Sequence, residues 1–121
     1  MLERARARLD RLEPGRAFDA VEDGAVLVDI RSDSQRERDG VVPGAAHVPR
    51  NALEWRCDPT SPHRDPRVSD PDRELIVMCD EGYQSSLAAA TLQELGLPAA
   101  TDLVGGFQAW REAGLPVERP G

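Results

Sequence analysis

The chain has 121 residues, of which 40% are hydrophobic and 31% charged, and this length and balance predict one globular domain with one core. Its 15 basic and 22 acidic side chains give a net charge of −7, so we expect neither nucleic acid nor a membrane as a partner, because both would repel the chain. Two cysteines are too few for a disulfide scaffold. No apolar run reaches the length of a membrane span, and the charged N-terminus lacks the apolar segment of a signal peptide. We therefore expect a cytoplasmic protein.

The first elements that the sequence predicts are two short helices. Residues 3–13 place apolar side chains on one helical face, which predicts an amphipathic helix that the following Pro-Gly pair ends. Residues 1–16 are therefore expected to form a helical extension of a single domain that spans the whole chain, 1–121. A second short helix is predicted over residues 17–22.

The middle of the chain predicts one buried strand and a long irregular connection. Ala25–Asp29 begins with a continuous apolar run, which is typical of a strand covered on both faces. The charged residues 31–40 predict a surface helix, and residues 41–48 predict a turn that leads into a short strand. Residues 49–72 hold several prolines among many charges, which predicts an irregular connection with one helical turn at 51–55.

The last part of the chain predicts two strands that alternate with two helices. Glu74–Cys79 is the second fully buried strand, and Ser85–Leu95 predicts a helix that is opened by serine caps and stopped by Gly96. A third strand is predicted over Thr101–Val104, and a final helix over Phe107–Ala113. Strands that alternate with helices predict an α/β fold, in which a parallel sheet carries helices on both faces.

Cys79 stands at the carboxyl end of a predicted strand, the edge at which α/β sheets bind ligands. The loop after it contains a glycine and leads into a helix; such loops turn their N–H groups inward, and the helix N-terminus adds about half a positive charge. Cys79 is therefore expected to be a nucleophile, because a thiolate is the anion that these amides stabilise. The alternative is a small buried residue that only finishes the strand. The residues expected to surround the sulfur are Asp80, Glu81, Gly82, Tyr83, Gln84 and Ser85.

Four segments carry a family resemblance that covers the chain from near Ala17 to its end. They read LVDIR, VPGAAHVP, IVMCDEGYQSSLAAATLQELG and LVGGFQAWREAGLPV, and they begin at Leu27, Val42, Ile76 and Leu103. The last segment is the most specific, because its glycines, tryptophan and proline stand at the family's spacing. On these motifs the chain resembles the single-domain rhodaneses of the rhodanese-like sulfurtransferase family.

The resemblance implies a three-layer α/β/α domain with a five-stranded, mostly parallel sheet. It also implies a sulfurtransferase without a cofactor or metal, which moves sulfane sulfur from thiosulfate or another persulfide donor to cyanide or a thiol through a Cys79 persulfide. The partner would be a small sulfur compound, or a protein that carries a persulfide or a thiol. The loop has the rhodanese length and is shorter than that of the dual-specificity phosphatases, which argues against an arsenate or phosphate-ester enzyme of the same fold.

The loop departs from the family pattern in its charge. Many relatives have a basic residue after the cysteine and an arginine at the end of the loop, whereas this chain has Asp80 and Gln84 there, with Glu81 between them. These carboxylates would repel thiosulfate unless they face solvent, where salt screens charges over about 10 Å. A neutral or protein-bound persulfide is therefore the expected donor. The alternative function is a non-catalytic binding or sensing module of the same fold.

Four residues outside the loop have both a functional and a structural interpretation. Arg56 is a candidate substrate contact that could supply the cation missing from the loop, or it could be solvated. Asp29 and Arg31 match the family's Asp-x-Arg and are expected to be a structural pair near the site, because buried charges need partners. Cys57 could resolve the persulfide as a disulfide, or it could be incidental. The two histidines are scattered and predict no metal site.

Overall fold

The computed structural model describes residues 1–120, and its helices and strands alternate along the chain. The helices are α1 (Leu2–Ala7), α2 (Pro14–Glu22), α3 (Asp33–Asp39), α4 (Leu53–Cys57), α5 (Gln84–Glu94) and α6 (Gly106–Glu112). The strands are β1 (Val26–Asp29), β2 (Ala46–His47), β3 (Leu75–Met78) and β4 (Ala100–Asp102). A short 3₁₀ helix, Arg50–Ala52, precedes α4.

The strands form one parallel sheet in the order β2-β1-β3-β4. In the central pair Asp29 lies opposite Met78, and the N–H of Ile30 donates to the Met78 carbonyl oxygen over 3.0 Å. The residues that follow β1 and β3 therefore leave the sheet side by side at its carboxyl edge. This register positions the site described below.

Successive residues of the central strands point to opposite faces of the sheet. Both faces are therefore apolar, and helices cover each of them. Under α4 and α5 the buried strand residues are Val28, Leu75 and Val77. Against α2 and α6 the buried strand residues are Leu27, Ile76 and Met78. The predicted three-layer α/β/α arrangement is confirmed, and both continuous apolar runs are strands buried on two faces.

Within residues 1–120 the sheet has four strands rather than the five that the resemblance implies. Beyond these strands, Leu12 makes a single parallel bridge to Leu103, the residue after β4. The N–H of Leu12 donates to the Asp102 carbonyl oxygen over 3.0 Å, and its own carbonyl accepts from the N–H of Val104 over 2.9 Å. Pro14 begins α2 shortly afterwards, so the chain turns away from the sheet after one pairing.

The prediction that a Pro-Gly pair ends the first helix is wrong. α1 already ends at Ala7, and Pro14 is the first residue of α2. Proline suits the first position of a helix because the N–H that it lacks would have no partner there. Among the helices of residues 1–120, none has the length and apolar character needed to cross a membrane.

Candidate active site

The carboxyl edge of the sheet places Cys79 beside the start of α6. Cys79 follows the last residue of β3 and is 7% exposed. Its carbonyl oxygen accepts a hydrogen bond of 2.8 Å from the N–H of Phe107, and the carbonyl of Asp80 accepts from Gln108 over 3.1 Å. The first N–H groups of α6 therefore anchor the beginning of the loop that follows Cys79.

Two backbone N–H groups of that loop point at the sulfur. The N–H of Gly82 lies 3.1 Å from Sγ of Cys79, and the N–H of Ser85 lies 3.4 Å from it. Gly82 has a φ of +91°, the left-handed region that favours glycine. Since α5 begins at Gln84, the second of these donors also belongs to a helix N-terminus. The loop thus forms an anion-binding arrangement around Sγ, of the kind that stabilises a thiolate.

A cleft of about 560 Å³ lies over Cys79, which is enough for a small sulfur compound or for one side chain of a partner protein. Tyr83 is 63% exposed beside it. The cleft is built by the segments that follow β1 and β3 and by the 3₁₀ helix, and its lining residues are Ile30, Arg31, Ser32, Gln35, Pro49, Arg50, Asn51, Cys79, Asp80, Glu81, Tyr83 and Gln84.

The two carboxylates of the loop have different surroundings. Oδ1 of Asp80 accepts a hydrogen bond of 2.9 Å from Gln108 and lies 3.9 Å from Nη2 of Arg38. Glu81 is exposed to solvent. The repulsion that these charges exert on an anion is therefore reduced at Asp80 by an arginine and at Glu81 by screening.

The arginines that line the cleft are Arg31 and Arg50, and the structure does not bring Arg56 there. Nη1 of Arg56 donates to the carbonyl oxygen of His63 over 2.9 Å, which holds this side chain against the irregular connection. Arg50 donates to Glu54 over 2.8 Å and is 30% exposed. The sequence analysis missed Arg50, although the motif VPGAAHVP ends directly before it.

Asp29 and Arg31 form a buried ion pair at the base of the cleft. Nε and Nη2 of Arg31 lie 3.0 and 2.9 Å from the two carboxylate oxygens of Asp29, and the side chains are 0% and 2% exposed respectively. The guanidinium also stacks 3.9 Å from the ring centroid of Phe107. This fork geometry is a strong form of the pairing that the Asp-x-Arg motif predicts.

Ser85 and Ser86 do not cap α5, contrary to the sequence-based prediction. The N-cap residue is Tyr83, which makes no side-chain capping bond. Both serine hydroxyls donate instead to Oδ2 of Asp102 over 2.8 Å. Asp102 is fully buried at the end of β4 and was missed by the sequence analysis. The available signal was a charged residue inside the predicted strand Thr101–Val104, since a buried charge needs partners.

Cys57 is fully buried in the core and does not line the cleft. Burial, together with the nearby charges of Asp65 and Glu54, raises the pKa of its thiol to about 12. The protonated form of Cys57 therefore dominates at neutral pH, which disfavours a role in resolving a persulfide. No group of three or more His, Cys, Asp or Glu residues within 1–120 is arranged to hold a metal ion.

The fold and the site together are those of an α/β protein that holds a cysteine in an anion-binding loop at the carboxyl edge of its parallel sheet, an arrangement that suits a nucleophilic thiol. A family model described as the rhodanese-like domain matches residues 14–113 of this chain. The chain belongs to the rhodanese-like family, and the resemblance drawn from its motifs is confirmed.

Three similar proteins show how far the likeness extends. The thiosulfate sulfurtransferase GlpE of Actinobacillus succinogenes is 33% identical over 108 residues, which cover 88% of each chain. The polysulfide-sulfur transferase homodimer of Wolinella succinogenes has a TM-score of 0.79 at 25% identity, over 99% of this chain and 85% of that one. A Rhodopseudomonas palustris protein of unknown function, described as a possible tyrosine phosphatase, has a TM-score of 0.88 at 38% identity, over 97% and 90%. The predicted fold and the prediction of an enzyme similar to thiosulfate sulfurtransferases are confirmed.

Proposed function

We propose that this protein transfers sulfane sulfur through a persulfide on Cys79. The thiolate attacks the outer sulfur of a donor, a new S–S bond forms, and the donor's own S–S bond breaks, so that thiosulfate leaves as sulfite. An acceptor thiolate or cyanide then attacks the outer sulfur of the persulfide and regenerates the Cys79 thiolate. The observation that carries the proposal is the pair of N–H groups, of Gly82 and Ser85, at 3.1 and 3.4 Å from Sγ. In the persulfide anion the charge lies on the outer sulfur, which is bonded directly to Sγ and so stays near these N–H groups.

The charges of the cleft favour a donor that carries little negative charge. Arg31 is paired with Asp29, and Arg50 with Glu54, so a carboxylate counters the charge of each cation that lines the cleft. A dianion such as thiosulfate would meet these pairs and the carboxylate of Glu81. We therefore propose that a neutral or protein-bound persulfide is used better than thiosulfate, with a thiol as the physiological acceptor. A cytoplasmic location is consistent with this proposal, because a reducing compartment keeps such thiols free.

The charge argument predicts the effect of replacing Gln84 with arginine. Gln84→Arg should lower the KM for thiosulfate about twofold to fivefold, since a cation at the mouth of the cleft gains a partly exposed ion pair. Gln84→Glu is the matched control of opposite charge and should raise the KM. The measurement is steady-state transfer from thiosulfate to cyanide. Equal KM values in all three proteins would contradict the assignment of donor preference to charge.

Mass spectrometry of the treated protein tests the proposed function directly. After incubation with thiosulfate or polysulfide, the peptide that contains Cys79 should gain one sulfur atom, and Cys79→Ser should lose both this gain and all transfer to cyanide. The Cys57 peptide is an internal control, because a thiol whose pKa is about 12 should remain unmodified. A Cys79 peptide that gains no sulfur from either donor would refute transfer through a Cys79 persulfide and favour the binding or sensing alternative.

A phosphate-ester enzyme is the second candidate, favoured by the description of the Rhodopseudomonas palustris relative. Segment 80–85 contains no arginine, so the loop itself offers only backbone N–H groups to the three charged oxygens of a phosphoryl group. Hydrolysis of p-nitrophenyl phosphate that disappears in Cys79→Ser would support this candidate. We expect no such hydrolysis.

A further inference from the structure

The N-terminal segment, which precedes the matched region 14–113, reaches the back of the Cys79 loop. Nη2 of Arg6 donates to the carbonyl oxygen of Gly82 over 2.9 Å, and Nη2 of Arg11 donates to the same oxygen over 3.2 Å. Gly82 is the residue whose N–H faces the sulfur on the other side of the loop. Two guanidinium groups therefore hold this residue from behind.

The second N–H donor to the sulfur is held by the same network. Nε and Nη2 of Arg11 bind the two carboxylate oxygens of Asp102 at 2.8 and 3.1 Å. Asp102 accepts the hydroxyl of Ser85 over 2.8 Å, and the N–H of Ser85 is the group 3.4 Å from Sγ. Nε of Arg6 donates to the neighbouring Ser86 hydroxyl over 3.1 Å. Both amides that contact Cys79 thus belong to residues fixed by this arginine–aspartate network.

Backbone pairing explains why Arg11 lies at this position. The bridge between Leu12 and Leu103 places the preceding arginine next to Asp102. Asp102 is 0% exposed, and a buried carboxylate needs a cation or several hydrogen-bond donors. Arg11 supplies the cation while 18% of its own side chain stays exposed. The extension is thus part of the site's construction.

We propose that Arg6 and Arg11 are positioning residues for the Cys79 loop. They hold the N–H groups of Gly82 and Ser85 toward Sγ, and their positive charge lies behind the loop, where it favours a thiolate and a persulfide anion. This inference rests on the proposed function. Neither arginine lines the cleft or contacts Sγ, so their effect on Cys79 is exerted through the loop.

The reactivity of Cys79 toward iodoacetamide as a function of pH tests this role. The charged groups that line the cleft around the thiol are Arg31, Arg50, Asp80 and Glu81, and they stay the same in every variant. Arg6→Gln and Arg11→Gln should each raise the pH midpoint of Cys79 alkylation by about half a pH unit or more, since each removes a cation near the loop. Arg6→Lys, which keeps the charge, should recover part of the shift.

Arg8→Gln is the matched control, because Arg8 lies in the same segment but pairs with the exposed Glu94. Its alkylation midpoint should equal that of the wild type, and thermal unfolding of every variant reports any loss of folding. If Arg11→Gln does not fold because Asp102 loses its cation, Arg6→Gln decides the question. A low wild-type midpoint that Arg6→Gln leaves unchanged would overturn this inference alone. A wild-type midpoint near that of a free cysteine, about 8.5, would overturn the proposed function as well.

Discussion

Replacing Gly82 with alanine is expected to lower kcat/KM for sulfur transfer about a hundredfold or more, the scale seen when one backbone or side-chain donor to a reacting anion is lost. Gly82 has a φ of +91°, and a Cβ built on it would lie 2.7 Å from the backbone nitrogen of Gly105. Backbone atoms cannot move aside as a flexible side chain can. The loop must therefore shift, and the N–H of Gly82 would leave Sγ of Cys79.

Gly24→Ala separates this steric effect from backbone strain. Gly24 has a φ of +110°, but a Cβ there would meet nothing within 4 Å. Both substitutions carry the left-handed penalty of about 1–2 kcal/mol, whereas only Gly82→Ala displaces the loop. Gly24→Ala should keep wild-type kcat/KM and lose only stability. Wild-type turnover in Gly82→Ala would show that the N–H contacts are not the basis of catalysis.

Asp29→Ala is expected to lower the free energy of unfolding by about 3–5 kcal/mol, because it leaves the Arg31 guanidinium buried without its carboxylate. The Arg31 side chain is 0% exposed, and its Nε, its Nη2 and its backbone N–H all donate to Asp29. Small domains have only about 5–15 kcal/mol of total stability. The decrease in the free energy of unfolding should therefore be clearly measurable by urea denaturation.

Two further variants show whether burial of the charge causes that loss. Asp33 is 88% exposed and lies 4.0 Å from Arg36, so Asp33→Ala should change the unfolding free energy by less than about 1 kcal/mol. The double variant Asp29→Ala/Arg31→Met should be more stable than Asp29→Ala, since it removes the unpaired cation as well. A double variant no more stable than the single one would contradict this explanation.

The central sheet could be predicted from the sequence because its strands are buried on both faces. Such strands are continuous apolar runs, and Val26–Asp29 and Leu75–Met78 lie within the predicted boundaries. The N-terminal elements were harder, since Pro14 can follow one helix or begin the next, and here it begins α2. The expected fifth strand is not formed within residues 1–120, and the isolated bridge at Leu12 involves too few residues to give a periodic signal.

The sequence predicts the half of the candidate site that is local in the chain. Cys79, the glycine-containing loop and the helix after it are contiguous, so the expected geometry follows from strand–loop–helix order. The catalytic role of Cys79 stays a prediction. Arg11 and Asp102 are far apart in the sequence and meet only because the chain pairs at Leu12. Arg56 is likewise a candidate that the sequence offers, whereas the folded chain brings Arg31 and Arg50 to the cleft instead.

The single-residue bridge at Leu12 bears on how pieces of this protein are chosen for study. A fragment trimmed to residues 14–113 would keep every strand and the cysteine, yet it would omit Arg6, Arg11 and the bridge itself. The buried carboxylate of Asp102 would then lack its cation, which is unfavourable. The destabilisation would act on Ser85, which is bonded to Asp102 and whose N–H faces Sγ of Cys79. Boundaries taken from the family match alone would therefore give a domain with every strand but with a less reactive Cys79. Chimaeric proteins that include this chain should also keep its residues 1–13.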